Sequence, residues 1–432
     1  MFVAFRSVAF SALAAALLWS HPASSAAQTP APADATPAPA VDALVQRALE
    51  RAPSLAARRE RVEAAQIAVR AADALPEPML EVEYQSFGFP RYTIGSDPGS
   101  MAGVTYTQGL LSTGRRTTRR AVAQAEAAQR AAEQRVMAAD VATEVRLQYA
   151  RLYAIDRERE ALNDAAQLAR MLESTASARY AAGESDQATV LRIQLEQTRI
   201  TQRITDVLKE RVVVQAALNR LTNDAPSTPI GRIAELPPAA LPGSAATLVD
   251  QAAQQAPAIG VRKSDIDLAA RQVDAARSEL KPAWTVGGSF FWQGGFDRMV
   301  NLKLGIELPI WKGRKQQPMI ASAESERRAA QLELASATID VRTEAASLLA
   351  EYRNAVTQIQ LYEGGLLPQN SAALDATRAS YLGGRGDFVS VLDEFRRWVD
   401  LRTELATREA DRYSAQARLA ALLGISTNVS TQ

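Results

Sequence analysis

Cysteine is absent from the sequence, and the single histidine, His21, lies close to its start. Disulfide bonds, cysteine nucleophiles and a lipid-modified N-terminal cysteine are therefore excluded. Beyond His21 there is no imidazole for general-base catalysis or for metal coordination, which excludes a Ser-His-Asp triad and a His/Cys zinc site. A Gly-rich phosphate loop of the Walker type is also missing. We expect no cofactor and no resident metal ion.

A dominant charge of one sign is lacking as well. Lys and Arg number 49 and Asp and Glu number 48, so no strongly basic or acidic field points to a nucleic-acid partner. Carboxylates can perform acid–base chemistry in pairs, but here they recur at helical spacing, which is typical of solvated helix faces. We therefore predict that the protein is not an enzyme.

The start of the chain, 1–26, has the pattern of a secretory signal peptide. Arg6 precedes an apolar run, Val8–Trp19, and small residues follow at Ala23–Ala26. The apolar run is too short to span a membrane comfortably as a helix. A retained anchor is the alternative, but the small residues favour cleavage. The segment 27–40, rich in Pro and Ala, is expected to form a linker.

Segments with strict alternation of apolar and polar residues predict β-strands. Val300–Leu308 alternates in this way, as do Leu80–Ser86 and Val104–Gln108, and a further strand is expected after Pro282. Since successive side chains of a strand point to opposite faces, each strand has an apolar and a polar face. About nine or ten such residues can cross a bilayer within a barrel wall. The edge strand of a water-soluble sheet is the alternative for Val300–Leu308 taken alone.

The chain contains a duplicated unit of about two hundred residues, which is too long for a solenoid repeat. Landmarks of the first half recur in the second half at nearly constant spacing. The clearest set is Tyr180, Gly183 and Asp186, which match Tyr381, Gly384 and Asp387. The predicted organisation is a first repeat at 41–222, an equatorial linker at 223–245, a second repeat at 246–424 and a tail at 425–432.

Very long helical patterns connect the strands. Arg116–Ala178 would measure roughly 95 Å as one helix. The chain then reverses at Tyr180–Asp186, where Gly183 favours a turn. The remaining helical segments are expected at Val41–Asp73, Gln187–Leu221, Ala246–Leu280, Arg314–Ala379 and Phe388–Leu423, with a second reversal at Tyr381–Asp387. Their Ala-rich apolar steps of three and four residues favour helix-on-helix packing.

The predicted fold class is mainly α with a small transmembrane β part. Four strands cannot close a barrel, and an open edge in lipid leaves backbone groups without partners. Bacterial barrels begin at eight strands, so the chain must oligomerise. A dimer would supply eight strands and a trimer twelve, and strand number alone does not choose between them.

The chain resembles the TolC-like outer-membrane efflux family over about Val41–Gly424. The resemblance is carried by the Pro-flanked strand pairs, the Leu308–Arg314 junction and the two Tyr-x-x-Gly turns. It implies a trimeric channel-tunnel, in which four strands per chain complete a twelve-stranded barrel in the outer membrane and long helices form a coiled-coil tunnel in the periplasm. It also implies a periplasmic membrane-fusion adaptor and an inner-membrane pump as partners. The Lys312–Lys315 junction and the short loop Gly294–Arg298 resemble the heavy-metal branch of the family.

The resemblance further implies roles for the two turns. The set Tyr180, Gly183, Asp186, Tyr381, Gly384 and Asp387 matches the periplasmic tip, where an adaptor docks. Tyr381 and Asp393 match the positions that constrict the entrance, which makes them gate candidates. The sequence departs from the family at Ser390, which replaces a second carboxylate, and at Gly386, where a basic residue can sit. A closed gate held by fewer ionic contacts is therefore expected.

Passage through such a tunnel requires no chemistry by this chain. The polar strand positions Glu81, Glu83, Asn301, Lys303 and Glu307 would line a wet lumen that passes hydrated solutes. The expected function is that of a passive outer-membrane conduit in a tripartite efflux system, and the sequence leaves open whether its cargo is metal cations or drugs and other small molecules. The alternative is a periplasmic coiled-coil scaffold or adaptor without a pore, which would fractionate as a water-soluble protein.

Overall fold

A computed structural model describes residues 38–86, 93–97, 99–237 and 244–425. The expected signal peptide at 1–26, most of the linker at 27–40, and the tail beyond 425 lie outside these residues, as does part of the loop that follows the first strand. The described chain is mostly helical and contains one four-stranded sheet. No helix among the described residues has both the length and the apolarity needed to cross a membrane.

The strands are β1 (Met79–Gln85), β2 (Met101–Leu110), β3 (Ala283–Trp292) and β4 (Met299–Glu307). All neighbours are antiparallel and the order is β1-β2-β3-β4. The strand pairs predicted from the two halves of the chain are therefore joined into one sheet, because β2 pairs with β3. Strands β1 and β4 form its edges.

The helices are bounded as follows: α1 (Val41–Arg51), α2 (Pro53–Ala71), α3 (Thr113–Ala181), α4 (Gln187–Thr222), α5 (Ala245–Gln255), α6 (Pro257–Ser278), α7 (Gln316–Leu361), α8 (Leu367–Leu382) and α9 (Phe388–Leu422). At 69 residues, α3 is about 100 Å long and runs without a break. The long hairpin α3–α4 and its counterpart formed by α7, α8 and α9 confirm the mainly α fold class.

Three predicted helices are wrong in detail. Val41–Asp73 and Ala246–Leu280 are each two helices, divided where Pro53 and Pro257 begin α2 and α6. Proline lacks the N–H that would continue the preceding helix and is favoured at a helix start. The third, Arg314–Ala379, starts later, at Gln316, and a π-helical turn at Tyr362–Leu366 separates α7 from α8.

Alanine sets the spacing in the helical core. Ala142, Ala150 and Ala165 on α3 are fully buried, and small side chains of this kind let helix axes approach closely. Helix α3 is the central element, since it packs against α2, α4, α6 and α9. On the other side of the fold α7 packs against α5, α6 and α9. Because β2 ends just before α3 begins and the first turn follows the end of α3, the sheet lies at one end of this long helix and that turn at the other.

Candidate functional site

The sheet register brings the five predicted lumen residues onto one face. Glu81 pairs with Thr105, Thr105 with Ser289, and Ser289 with Asn301, so a row of four polar side chains crosses the sheet. The hydroxyl of Thr105 donates to that of Ser289 over 2.9 Å. Directly paired residues share a face, and alternation along each strand adds the other three: Glu83, Lys303 and Glu307.

The opposite face of the sheet is apolar across all four strands. Its central row runs Val82–Val104–Phe290–Val300. Leu302 and Val82 are 88% and 82% exposed, although side chains of this kind are rarely left in water as a continuous patch. A sheet with one such face and one polar face has the alternation of a barrel wall between lipid and water.

Both edges of the sheet lack a partner among the described residues. Strands β1 and β4 each pair on one side only. Their outer N–H and C=O groups need partners if the apolar face lies in lipid, because hydrocarbon offers none. Pairing with another copy would satisfy both edges.

The two turns share one design. Gly183 and Gly384 adopt φ of +75° and +70°, a left-handed conformation that glycine reaches without strain. Each turn then starts the returning helix with an aspartate N-cap: Asp186 accepts from the backbone N–H of Thr189, and Asp387 from that of Ser390, both over 2.9 Å.

The capping bonds also set the ionisation of these carboxyl groups. Hydrogen bonds from the hydroxyl and the backbone N–H of Thr189 lower the pKa of Asp186. The backbone and hydroxyl donors of Ser390 lower the pKa of Asp387 in the same way. A lowered pKa keeps both groups ionised at neutral pH, and their contribution is lost only as the pH falls through that lowered value. Both caps are exposed.

The two tyrosines of the turns occupy different environments. Tyr180 is 48% exposed, whereas Tyr381 is 5% exposed. The ring of Tyr381 packs edge-on against Phe388 with centroids 5.4 Å apart. The guanidinium of Arg179, which belongs to the other hairpin, lies 4.8 Å from the centre of the Tyr381 ring. It also donates a hydrogen bond to the backbone oxygen of Tyr381.

The sequence predicts Tyr381 as both a docking contact and a gate residue. Its burial is contrary to an exposed docking contact and places it between the hairpins instead. Asp393, the other gate candidate, has an exposed side chain, and its nearest ionic partner is Arg396 at 3.8 Å. Sequence reasoning missed Arg179, because no local pattern shows which element its side chain meets.

Comparison with known proteins identifies the family. The family model for outer membrane efflux proteins matches residues 44–224 and 248–425, which is most of the chain. The chain belongs to the outer membrane efflux protein family. Members of this family are transport proteins of the bacterial outer membrane. The search of curated proteins finds no match.

Solved structures of other proteins share the fold of this outer membrane efflux protein. It is 18% identical to VceC from Vibrio cholerae, with a TM-score of 0.74 and coverage of 89% of this chain and 96% of that one. It is 15% identical to the outer-membrane channel OprN, with a TM-score of 0.76 and 89% of each chain covered. It is 16% identical to CusC, with a TM-score of 0.75 and coverage of 89% and 91%.

The described residues of this efflux protein contain no group of three or more acidic, His or Cys side chains that could hold a metal ion. They do contain one buried ion pair that sequence reasoning missed. Arg211 of α4 donates through Nε to Asp156 of α3 over 2.7 Å. The second oxygen of Asp156 accepts from the N–H of Ile233, and Arg211 also reaches the carbonyl of Ile230. The pair thus fastens the predicted equatorial linker to the middle of the helical hairpin.

Proposed function

We propose that three copies of this chain form a channel-tunnel that conducts solutes passively from the periplasm to the exterior within a tripartite, RND-type efflux system. The observation that carries the proposal is the sheet, which has a polar face, an apolar face and two edges without a partner among the described residues. Three four-stranded sheets would give a closed wall of twelve strands, which lies within the range of outer-membrane barrels. The polar face would then line the lumen.

The tip supplies the proposed docking surface for a periplasmic membrane-fusion adaptor, which would connect the tunnel to an inner-membrane pump. Gly183, Asp186, Gly384 and Asp387 are exposed there, and Tyr180 presents a half-exposed ring. The energy for export would come from the pump. Outer-membrane lipid would contact the apolar face of the sheet.

Metal cations are the cargo that we propose, on the basis of the junction at Lys312–Lys315 and its resemblance to the heavy-metal branch. The lumen face supports a cation path, because it carries three carboxylates, at Glu81, Glu83 and Glu307, and one ammonium group, at Lys303. Rings of carboxylates favour cations in channels. Export of drugs in place of metal ions is the competing outcome, which a susceptibility panel decides.

The function is tested by recording from the purified protein in planar bilayers. We expect cation-selective pores, and we expect the double variant Glu81→Gln/Glu83→Gln to lose much of that selectivity because two carboxylates per copy leave the lumen. The control is Asp206→Asn/Glu210→Gln on α4, where these side chains are 64% and 41% exposed, and it should leave selectivity unchanged. A water-soluble protein without pores would instead support the coiled-coil scaffold without a pore.

The gate is tested at Asp393. Its exposed carboxylate and its weak contact with Arg396 support a role in closing the tip entrance rather than in folding. We expect Asp393→Ala to raise the resting conductance of the channel. Charged groups around a channel entrance control both the width of the entrance and the electric field within it. Asp206→Ala, which removes an exposed carboxylate of α4 away from both turns, serves as the control. Conductance and selectivity equal to those of the wild type would remove Asp393 from the gate.

A further inference from the structure

Helix α7 carries an apolar stripe that nothing in the described chain covers. Leu332 and Ile339 are 72% and 64% exposed. They lie two helical turns apart, so both point to the same side of the helix. Large apolar side chains in such a row favour burial against another helix. The question is which helix that is.

The covering helix can be identified from the internal repeat, because the two halves of the chain share contacts between helices as well as sequence landmarks. Arg58 of α2 binds Glu133 of α3 over 3.0 Å, and Arg262 of α6 binds Glu333 of α7 over the same distance. The α2–α3 and α6–α7 interfaces are therefore equivalent, with Arg58 matching Arg262 and Glu133 matching Glu333.

The strands repeat this correspondence. The first cross-strand pair of β1 and β2 is Met79–Thr107, and that of β3 and β4 is Ala283–Glu307. The sequence spacing between Met79 and Ala283 equals that between Arg58 and Arg262. The sequence spacing between Thr107 and Glu307 likewise equals that between Glu133 and Glu333. One alignment of the two halves therefore holds for both the helices and the sheet.

In this alignment the exposed stripe on α7 corresponds to a covered stripe on α3. The counterparts of Leu332 and Ile339 are Ala132 and Ala139, and both alanines are buried. Helix α6 packs on α3. Ala132 lies beside the start of α6, where it shares a cavity of about 300 Å³ with Pro257 and Gly260. The helix that should cover α7 is accordingly the counterpart of α6, which is α2.

Within one chain, however, α2 packs against α1 and α3, and α7 packs against α5, α6 and α9. The α2 helix that covers α7 must therefore come from a second copy. We propose that α7 of one copy packs against α2 of the next, with Leu332 against the segment Ala52–Ala56. Ala56, the counterpart of Gly260, is exposed in the single chain and available for this contact. The inference rests on the proposed homotrimer and identifies one of its interfaces.

A polar contact supports the same pairing. Arg115 at the start of α3 donates to the carbonyls of Glu279 and Lys281, over 3.2 and 2.7 Å, and so caps the end of α6. The corresponding stretch before α7 is basic, at Arg314 and Lys315. The corresponding end of α2, at 74–77, is exposed. Cations at a helix C-terminus are favourable, so the charges of the two surfaces are complementary.

One contact of the α3–α6 interface has no counterpart. Gln129 donates to Asp265 over 2.7 Å, but the matching positions are Ala329 and Arg61, and alanine has no side-chain donor or acceptor for this contact. We expect Arg61 to turn towards water or towards neighbouring carboxylates. The interface between copies is thus predicted to depend on Leu332 and Ile339 more than on polar pairs.

Disulfide trapping tests the proposal, since the natural chain has no cysteine. The pair Leu332→Cys/Ala56→Cys should, on oxidation of the purified full chain, move most of the protein into dimer and trimer bands on a non-reducing denaturing gel. A disulfide forms only where Cα atoms lie within about 7 Å. Leu332→Cys alone should remain monomeric on that gel.

The matched control is Ala132→Cys/Gly260→Cys, which places the same pair in the interface within one chain. It should form a bridge inside the chain and no band between chains. If this control oxidises while Leu332→Cys/Ala56→Cys stays monomeric, the interface is wrong. Native mass measurement of the cysteine-free protein separates the two claims: a trimer leaves the proposed function standing, whereas a monomer removes the proposed function itself.

Discussion

Replacing Asp156 with alanine is expected to lower the free energy of unfolding by about 3–5 kcal/mol, the cost of removing one partner of a buried ion pair. The Asp156 side chain is fully buried, and that of Arg211 is 9% exposed. The variant leaves the Arg211 guanidinium buried without a counter-charge and the N–H of Ile233 without its acceptor. We expect thermal unfolding of the purified protein, followed by circular dichroism, to show a markedly lower midpoint.

The chain offers a matched control for this prediction. Arg151 and Glu210 also join α3 to α4, with a distance of 2.7 Å, but their side chains are 57% and 41% exposed. Exposed pairs contribute about 0–1 kcal/mol, so Glu210→Ala should shift the midpoint little. Equal shifts in the two variants would contradict the role assigned to the buried pair. The double variant Asp156→Leu/Arg211→Met should recover much of the loss, because apolar side chains need no counter-charge.

Replacing Gly384 with proline is expected to abolish efflux while the protein remains multimeric in the outer membrane. Proline confines φ to negative values, whereas Gly384 requires a φ of +70°. Proline also removes the N–H that donates to the carbonyl of Tyr381 over 3.1 Å. The turn is exposed and distant from the sheet, so the loss should fall on the proposed docking surface. Gly183→Pro should behave in the same way.

The measurement is the susceptibility of a deletion strain, carrying each variant, to a panel of metal ions and drugs. Gly384→Asn is the control, since asparagine tolerates the left-handed conformation better than other residues with a side chain. It should retain most of the resistance. Full resistance with Gly384→Pro would exclude docking at the tip, and loss of the multimer would attribute the defect to assembly instead.

Much of the architecture follows from local pattern. The alternation in Val300–Leu308 predicts a strand with one apolar and one polar face, and the register places Asn301, Lys303 and Glu307 on the polar side. The Tyr-x-x-Gly turns predict the two reversals, because glycine reaches a positive φ without strain. Pro53 and Pro257 lie within single predicted helices, but in the structure each marks the start of a separate helix.

Other features depend on which elements meet. The burial of Tyr381 arises from Phe388 and from Arg179, which lies in the other half of the chain. The pairing of β2 with β3 joins strands separated by the whole first helical hairpin. Asp156 and Arg211 each fit the spacing of a solvated helix face, and their burial becomes visible only when the segment around Ile230 folds over them.

The sequence by itself determined the long helical hairpins, the amphipathic strands, the absence of histidine and cysteine chemistry, and the duplication. Each of these depends on residues close together or on a repeat that can be read directly. Only the tertiary structure decided the single four-stranded sheet, the buried ion pair and the uncovered stripe on α7. An apolar helix face in the sequence predicts that some other element will cover it. Which element does so depends on packing between segments that are distant in the sequence, and the periodicity of a single segment carries no information about that packing.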